Sequence, residues 1–416
     1  MIMTLRLSSF VARCLWGNTP HVADAAPPSM PAKRPKVSVL VPLLHEEEIA
    51  GALIARLGQL TYPKALLQVV LVLEEGDQMT RDTIARTELP FWFDVIEVPQ
   101  AGKLRTKPRA LNYALDFCNG SIIGVWDAED APEVDQLDRV VQHFERAPQN
   151  VACVQGVLDY YNARTNWISR CFALEYASWW RVILPGVAHL GLIIPLGGTT
   201  LFFRRPILEK LCGWDAHNVT EDADLGVRLA RQGYRTDLLP TVTYEEANFR
   251  AWPWIKQRSR WLKGFLITWV VHSRAPLQLI RDVGLIRFLG VQTLFLATFC
   301  QFIFAPFLWT FCLPLFGASH PVETTLGPEA FYSLFGFFVF AEILSIAIAM
   351  TAVSGSQHRH LIPWAITLPF YFILGSFAAY KALYEFVVMP FYWDKTEHGV
   401  SHKSDNGMQT RSARPP

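Results

Sequence analysis

Three short runs pack acids closely enough to act together. "WDAED" holds Asp127, Glu129 and Asp130, "TEDAD" holds Glu221, Asp222 and Asp224, and "LEEGD" holds Glu74, Glu75 and Asp77. Hard Mg²⁺ or Mn²⁺ takes oxygen ligands, keeps several waters, and is typically held by one or two carboxylates plus substrate phosphates. Asp127 with Glu129, or Asp127 with Asp130, supplies that pattern. The alternative is a solvated loop that caps the next helix, with Asp130 and Glu133 near its first turn. The second run has its own simple account as a helix start. Thr220 would be the N-cap, the acids would favour the helix dipole, Leu225 and Leu229 would form an apolar stripe, and Gly233 would close the end.

The elements around these runs alternate. "VSVLVPL" (37–43), "QVVLVL" (68–73), "FDVIEV" (93–98) and "SIIGVW" (121–126) read as strands. Residues 46–59 and 107–117 read as helices between them. That alternation predicts an α/β domain with a mainly parallel sheet. Ligands of such sheets sit beyond the carboxyl ends of the strands. Residues 45–48, 74–77 and 127–130 would therefore converge on one crevice.

The 416 residues are 51% hydrophobic with a formal net charge of +1. Nothing in that balance, or in the placement of basic residues, calls for a nucleic-acid partner. The seven cysteines are scattered without a C-x-x-C pair, which fits reduced cytosolic or membrane thiols better than a disulfide framework or zinc site. Residues 288–319 carry no charge, and 331–353 only Glu342. Residues 361–389 are interrupted by Pro363 and Pro369 and carry Lys381 and Glu385. A spanning helix needs about 20 apolar residues, so the chain reads as an integral membrane protein with a soluble first two-thirds. Glu342, mid-span, is either functional or a neutral acid bonded to a neighbouring helix. His358 and His360 read as loop histidines. At the start, Arg6 and Arg13 sit on a stretch too short and charged to span, either lying on the membrane surface or frayed. A Pro/Ala linker follows.

Taken together, these motifs resemble the membrane-bound family 2 glycosyltransferases, the group of bacterial cellulose synthase and the hyaluronan and chitin synthases. The resemblance covers roughly residues 36–400. It rests on "SVLVPLLHEEE", "TKPRALNYAL", "WDAED" in the place of the D-x-D metal motif, "VTEDADL" as the T-E-D triplet, and "QRSRW" as Q-x-x-R-W. It implies a GT-A-type nucleotide-sugar-binding domain and inverting transfer from a nucleotide sugar, UDP-linked, with Mg²⁺ or Mn²⁺. Asp222 would be the general base on the acceptor hydroxyl and Glu221 its orienting neighbour, with Asp224 left to the helix end. Metal would go to Asp127, Glu129 and Asp130. Lys107, Arg109, Asn112 and Arg260 would serve the donor, with Glu74 or Glu75 where the family has an Asp pair for uracil. Gln257, Trp261 and Gly198 would line the acceptor side. The Q-x-x-R-W helix also has the Trp, Lys and Arg mix of a membrane-surface helix.

The implied layout is a segment and linker over 1–35, a cytosolic catalytic domain over 36–250, an interfacial region over 251–285, two or three membrane segments over 286–391, and a cytosolic tail over 392–416. The enzyme would sit in the inner or plasma membrane. The expected product is a growing β-linked polysaccharide, with an export or channel partner since so few spans make a self-contained channel doubtful. Single transfer to a lipid is the alternative, and an inactive scaffold is the reading from another class. Arg359 and the tail basics Lys395, Lys403, Arg411 and Arg414 place 317–330 outside by the positive-inside rule. "YWDKTEHG" (392–399) resembles a gating loop, which must be cytosolic, so the third segment is expected to be re-entrant or interfacial.

Overall fold

The computed structural model describes residues 1–17, 34–45, 49–100 and 105–390. Most of the linker, residues 46–48, and the 392–399 motif with the tail lie outside the described residues. Eight strands form one sheet: β1 Val37–Leu43, β2 Leu67–Glu74, β3 Phe93–Val98, β4 Ile122–Val125, β5 Ala131–Pro132, β6 Val151–Tyr160, β7 Leu201–Arg204 and β8 Arg235–Glu245. Their order is β3-β2-β1-β4-β7-β6-β8-β5.

The first four in that order run parallel. β7 is antiparallel to both β4 and β6, while β8 runs parallel to β6. The sheet is therefore mixed, with a parallel half as the alternation predicts and two reversed strands beyond it, β7 and the edge strand β5. The chain winds outward from β1 to β3, then returns to lay β4 on the other side of β1. That reversal makes a switch point at the carboxyl ends of β1 and β4, where a crevice must open. Because β7 is reversed, its amino end lies beside the carboxyl end of β4, with Val125 paired to Leu201.

Side chains alternate across this sheet with period two. Val37, Val39, Val41, Leu43, Val69, Leu71 and Leu73 join one core, with Leu53, Val140 and Phe144 from helices. Leu40, Val70 and Val72 join the other, with Leu111 and Ala114 of helix Lys107–Leu115 and Leu225 and Leu229 of helix Glu221–Arg231. Burial on both faces explains why these strands read as continuous apolar runs.

Helix Ala251–Ser273 joins the sheet to an apolar helical region. Leu285–Phe316 and Pro328–Ala352 are each long and apolar enough to cross a membrane. Phe307, Leu315, Phe316, Tyr332, Phe337 and Ile343 are exposed on them, apolar surface of the kind a bilayer covers. After the second of these the chain lands back on the sheet. His358 Nε2 lies 2.8 Å from Asp159 Oδ2, and Gln357 Nε2 donates to the Tyr244 hydroxyl at 2.8 Å. The loop between the two helices thus lies at the end away from the sheet. A third apolar segment, Arg359–Tyr371 with Ile373–Val388, is bent by 44°. The bend follows Pro363 and Pro369, the expected cause of a sharp break.

The first helix, Ile2–Trp16, is seated rather than frayed. Ser9 is sealed against Gly186, where any Cβ would collide with the Ser9 backbone. Arg13 Nε donates to the Arg181 carbonyl at 3.1 Å, and Arg6 Nη1 donates to Ser345 Oγ at 2.9 Å. Ser345 follows Glu342 by three residues on the same helix face.

Candidate active site

At the floor of the crevice, two acidic runs meet through one lysine and the backbone of one glycine. Lys107 Nζ donates to Asp127 Oδ1 and, at 3.1 Å, to the Gly198 carbonyl. The Gly198 N–H donates to Asp222 Oδ2, while Asp222 Oδ1 accepts from the Ala223 N–H at 2.8 Å. Gly198 has φ +30°, a backbone state that favours glycine. Asp127, Lys107, Gly198 and Asp222 are thus in one chain of hydrogen bonds.

The electrostatics follow from burial. Burial pushes the Glu221 carboxyl up to about 7, and the neighbouring Asp222 charge adds to it against the pull of Lys107 and Arg260. Burial also raises Asp222, though the Gly198 and Ala223 N–H groups favour its charged form. For Lys107, burial works against the charge, but Asp127 and then Glu221 outweigh it and hold the ammonium above its usual range. The result is a buried acid pair with raised proton affinity beside a fixed cation, an arrangement that can accept a proton near neutral pH.

A glycine brings the T-E-D triplet and the Q-x-x-R-W helix together. A Cβ at Gly264 would collide with the Thr220 side chain, so helix Ala251–Ser273 can rest directly on the start of helix Glu221–Arg231. Asn218 Nδ2 donates to Thr268 Oγ1 at 3.0 Å across the same seam. Two parts of the helix-start account need correction. Thr220 makes no side-chain capping bond: its hydroxyl faces Asn218 Oδ1 at 3.5 Å and its side chain packs against Gly264. Asp224 does more than favour a dipole: it is sealed between Arg228 at 2.7 Å and His272 at 2.8 Å. Burial would raise Asp224, but the His272 bond and the Arg228 charge hold it below the usual carboxylate range. Gly233 does close the helix, at φ +78°.

The strand-end acids differ in character. Asp130 Oδ2 accepts from the Asp127 N–H at 2.8 Å and from the Thr199 hydroxyl. Its Oδ1 is buried without a partner, as is Oε1 of Glu245 at the end of β8. Burial, then the charges of Asp127 and Glu129, push Asp130 well up, and burial with Asp130, Asp127 and Glu129 does the same to Glu245. Among the described residues, no three His, Cys, Asp or Glu side chains stand close enough to enclose an ion. Sealed, unpartnered carboxylate oxygens that repel one another nevertheless fit a divalent cation that takes the rest of its ligands from water and phosphate. Glu245 was missed from sequence, although its place at a strand end was a usable signal. Arg56, which donates to the Ala128 and Glu129 carbonyls at 2.9 and 2.8 Å, and Gln155, which accepts from the Gly197 N–H at 2.9 Å, build the loops around these acids.

The other expected residues divide. Glu74 lies 3.2 Å from Arg109, and burial raises its carboxyl against that charge. Glu75 accepts from the Gln100 N–H at 2.6 Å. Asp77, sealed, accepts from the His45 N–H at 2.6 Å and so ties the end of β1 to that of β2. Asn112 is turned away from the crevice: its amide spans the Trp214 backbone, donating at 2.7 Å and accepting at 2.8 Å. Gln257 is buried and accepts from Asn248 at 2.9 Å. Arg260 is near enough to Glu221 to favour its charge. Trp261 packs in an aromatic group with Phe172 and Tyr176, at centroid distances of 6.2 and 6.1 Å. Arg258, which no motif reading used, stacks 4.8 Å from the Trp261 centroid and pairs with Glu175 at 2.6 Å.

The chain is similar to several known proteins. The probable glycosyltransferase YdaM of Bacillus subtilis is 30% identical over 236 residues, 55% of each chain. The beta-monoglucosyldiacylglycerol synthase of Trichormus variabilis is 30% identical over 244 residues, 56% of this chain and 50% of that one. This chain spans about half the length of these relatives. The mannosyltransferase PcManGT of Pyrobaculum calidifontis, solved with GDP-Man and Mn²⁺, aligns over 92% of this chain and 99% of its own, with TM-score 0.49 and 19% identity. The sequence model described as "Glycosyl transferase family group 2" matches residues 122–374, from β4 through both helices long enough to cross a membrane. That match takes in the acids at the ends of β4 and β8, the Glu221–Asp222 pair and the helix that leads to the apolar region, and by it the chain belongs to glycosyl transferase family group 2.

Proposed function

We propose that this chain is an integral membrane enzyme that moves a single sugar, with inversion, from a nucleotide sugar to a hydroxyl of a membrane lipid. The observation that carries the reading is the place of Asp222. It lies where the strand-end crevice meets helix Ala251–Ser273, which also packs on the apolar helices that follow it. An acceptor held in a bilayer would therefore meet the acid pair directly. Asp222 takes the acceptor's proton, the hydroxyl oxygen forms its bond to the anomeric carbon, and the bond from that carbon to the diphosphate breaks. The nucleoside diphosphate leaves with the electron pair. Glu221 orients and tunes Asp222, Lys107 and Arg260 sit at the phosphates, and Glu74 or Glu75 meets the nucleoside, a uridine.

Asp127 with Glu129 or Asp130 would hold Mg²⁺ or Mn²⁺, which stabilises charge on the leaving diphosphate when bound. A lipid acceptor takes the place of the polymer expected from the resemblance, and the glucosyldiacylglycerol synthases among the relatives support that order. The catalytic side would face the cytosol, where nucleotide sugars are found.

The test is to reconstitute the protein in liposomes containing diacylglycerol, with radiolabelled UDP-sugars and Mn²⁺. Label should move into the organic phase as a lipid bearing one sugar. Label in a high-molecular-weight product would sink the lipid reading, and no release of UDP with any donor would sink the enzyme reading.

A further inference from the structure

The bend in the third apolar segment is tied to helix Ala251–Ser273 through a half-buried ion pair, Arg258 with Glu175. Tyr371 is the last residue before the break at Phe372 and is fully buried, with its ring 5.0 Å from that of Trp254. Its hydroxyl donates to Glu175 Oε2 at 2.9 Å, the same oxygen that accepts from Arg258 Nη2 at 2.6 Å. Arg258 is surrounded by rings: Trp261 at 4.8 Å, Trp254 at 4.9 Å and Phe172 at 5.6 Å. From Trp261 an aromatic row continues to Tyr176 and on to Tyr160, whose rings are 4.5 Å apart. Tyr160 is paired in register with Glu245, beside the strand-end acids. A continuous set of contacts therefore joins the bend to the rim of the crevice.

We infer that Arg258 is a positioning residue for acceptor use: bonded to Glu175, it locks the bend and holds Trp261 and the adjoining turn of helix Ala251–Ser273 at the acceptor end of the site. This rests on the reading that the acceptor comes from the membrane side. The chemistry selects arginine. A planar guanidinium can stack on indole faces while its edge donates to a carboxylate, whereas an ammonium is a point charge on a flexible stem. Arg258 touches none of the crevice acids through any of these contacts, so its effect on transfer must pass through Trp261 and the bend.

The experiment measures, in liposomes, the KM for acceptor, the KM for nucleotide sugar, kcat, and the slow release of nucleoside diphosphate to water without acceptor. Arg258→Lys keeps the charge but loses the stacked fork. It should raise the acceptor KM about tenfold while leaving the donor KM and the water reaction unchanged. Tyr371→Phe keeps the packing and removes only the hydroxyl, so it should raise the acceptor KM about threefold and remain folded. Equal losses in the donor KM or the water reaction would mark a general structural role and overturn the proposal. An unchanged acceptor KM in both variants would overturn it too. The acceptor is whichever one the wild type uses. If that is an oligosaccharide, the lipid reading fails on the wild-type result, while the variants still decide the role of Arg258 on the oligosaccharide KM.

Discussion

Asp130 and Asp224 occupy matching places in two acidic runs, and both are sealed, at 0% and 2% exposure. Their proton affinities shift in opposite directions. Asp224 has two cationic partners at bonding distance, Arg228 and His272 when protonated, so its charge is spent on holding two helices together. Asp130 is bonded by a hydroxyl and a backbone N–H, with Asp127 and Glu129 repelling it and one oxygen unpartnered. Equal burial is thus a structural device in one run and, in the other, a carboxyl driven toward its protonated form. What separates them is whether the fold supplies the cation. Glu221 and Asp222 lie between these extremes, with Lys107 near both.

The largest expected effect lies on that middle pair. Asp222→Asn keeps the size of the side chain and removes the base, so transfer should slow at least ~100-fold while nucleotide binding persists. Turnover near wild type would show that the acid merely supports a helix end. Asp224→Asn should do the reverse, costing about 3 kcal/mol of stability through the broken buried pair, with kcat per folded molecule close to wild type. Because the folded-state affinity of Asp224 for protons is depressed, its stabilisation is present above the unfolded value of ~4 and is lost as pH falls below that. The Asn variant should therefore lose less stability on acidification than wild type. Thermal unfolding across pH 3 to 6 measures both.

Asp130→Asn sharpens the contrast. Because Asp130 is bonded by a hydroxyl and a backbone N–H, the variant should change stability by no more than about 1 kcal/mol in chelator, yet abolish any rise in melting temperature produced by Mn²⁺. A loss as large as that of Asp224→Asn would erase the distinction. The smallest effect concerns Glu221, raised to about 7. A raised carboxyl stabilises the fold in its protonated form, so that contribution is complete below the unfolded value of ~4.3 and disappears as pH climbs through about 7. If both acids must be charged for transfer, kcat/KM should rise through the same region, and Glu221→Gln should move that rise to lower pH. An unmoved profile would assign the titration elsewhere.

The parallel half of the sheet was legible because β1, β2 and β4 are buried on both faces and β3 at its edge still carries an apolar run. Val37–Leu43 and Phe93–Val98 fall where the apolar runs place them, and the Lys107 helix starts where read. Reversed β7 was not legible: four residues carry no sign of direction, which is set by pairing with β4 and β6. The acids of the crevice were visible as types at strand and helix ends. Which of them are spent was not, since His272 lies 48 positions from Asp224 and Glu175 83 from Arg258. Asn112 shows the same limit, since its latch on Trp214 crosses 102 positions. The first helix looked weak by its own sequence because its stability comes from Gly186 and Ser345, not from propensity.

That first helix also sets an order of assembly. Arg13 finds its acceptor 168 positions later in the chain, and Arg6 finds its own 339 positions later. During synthesis the helix emerges long before either seat exists. Until Gly186 has been made the first helix has nothing to seal its Ser9, and until helix Pro328–Ala352 has been made it has no Ser345 acceptor for Arg6. Its docking reports that nearly all the rest of the fold is in place, so protection of its amides from exchange would act as a clock for the end of folding.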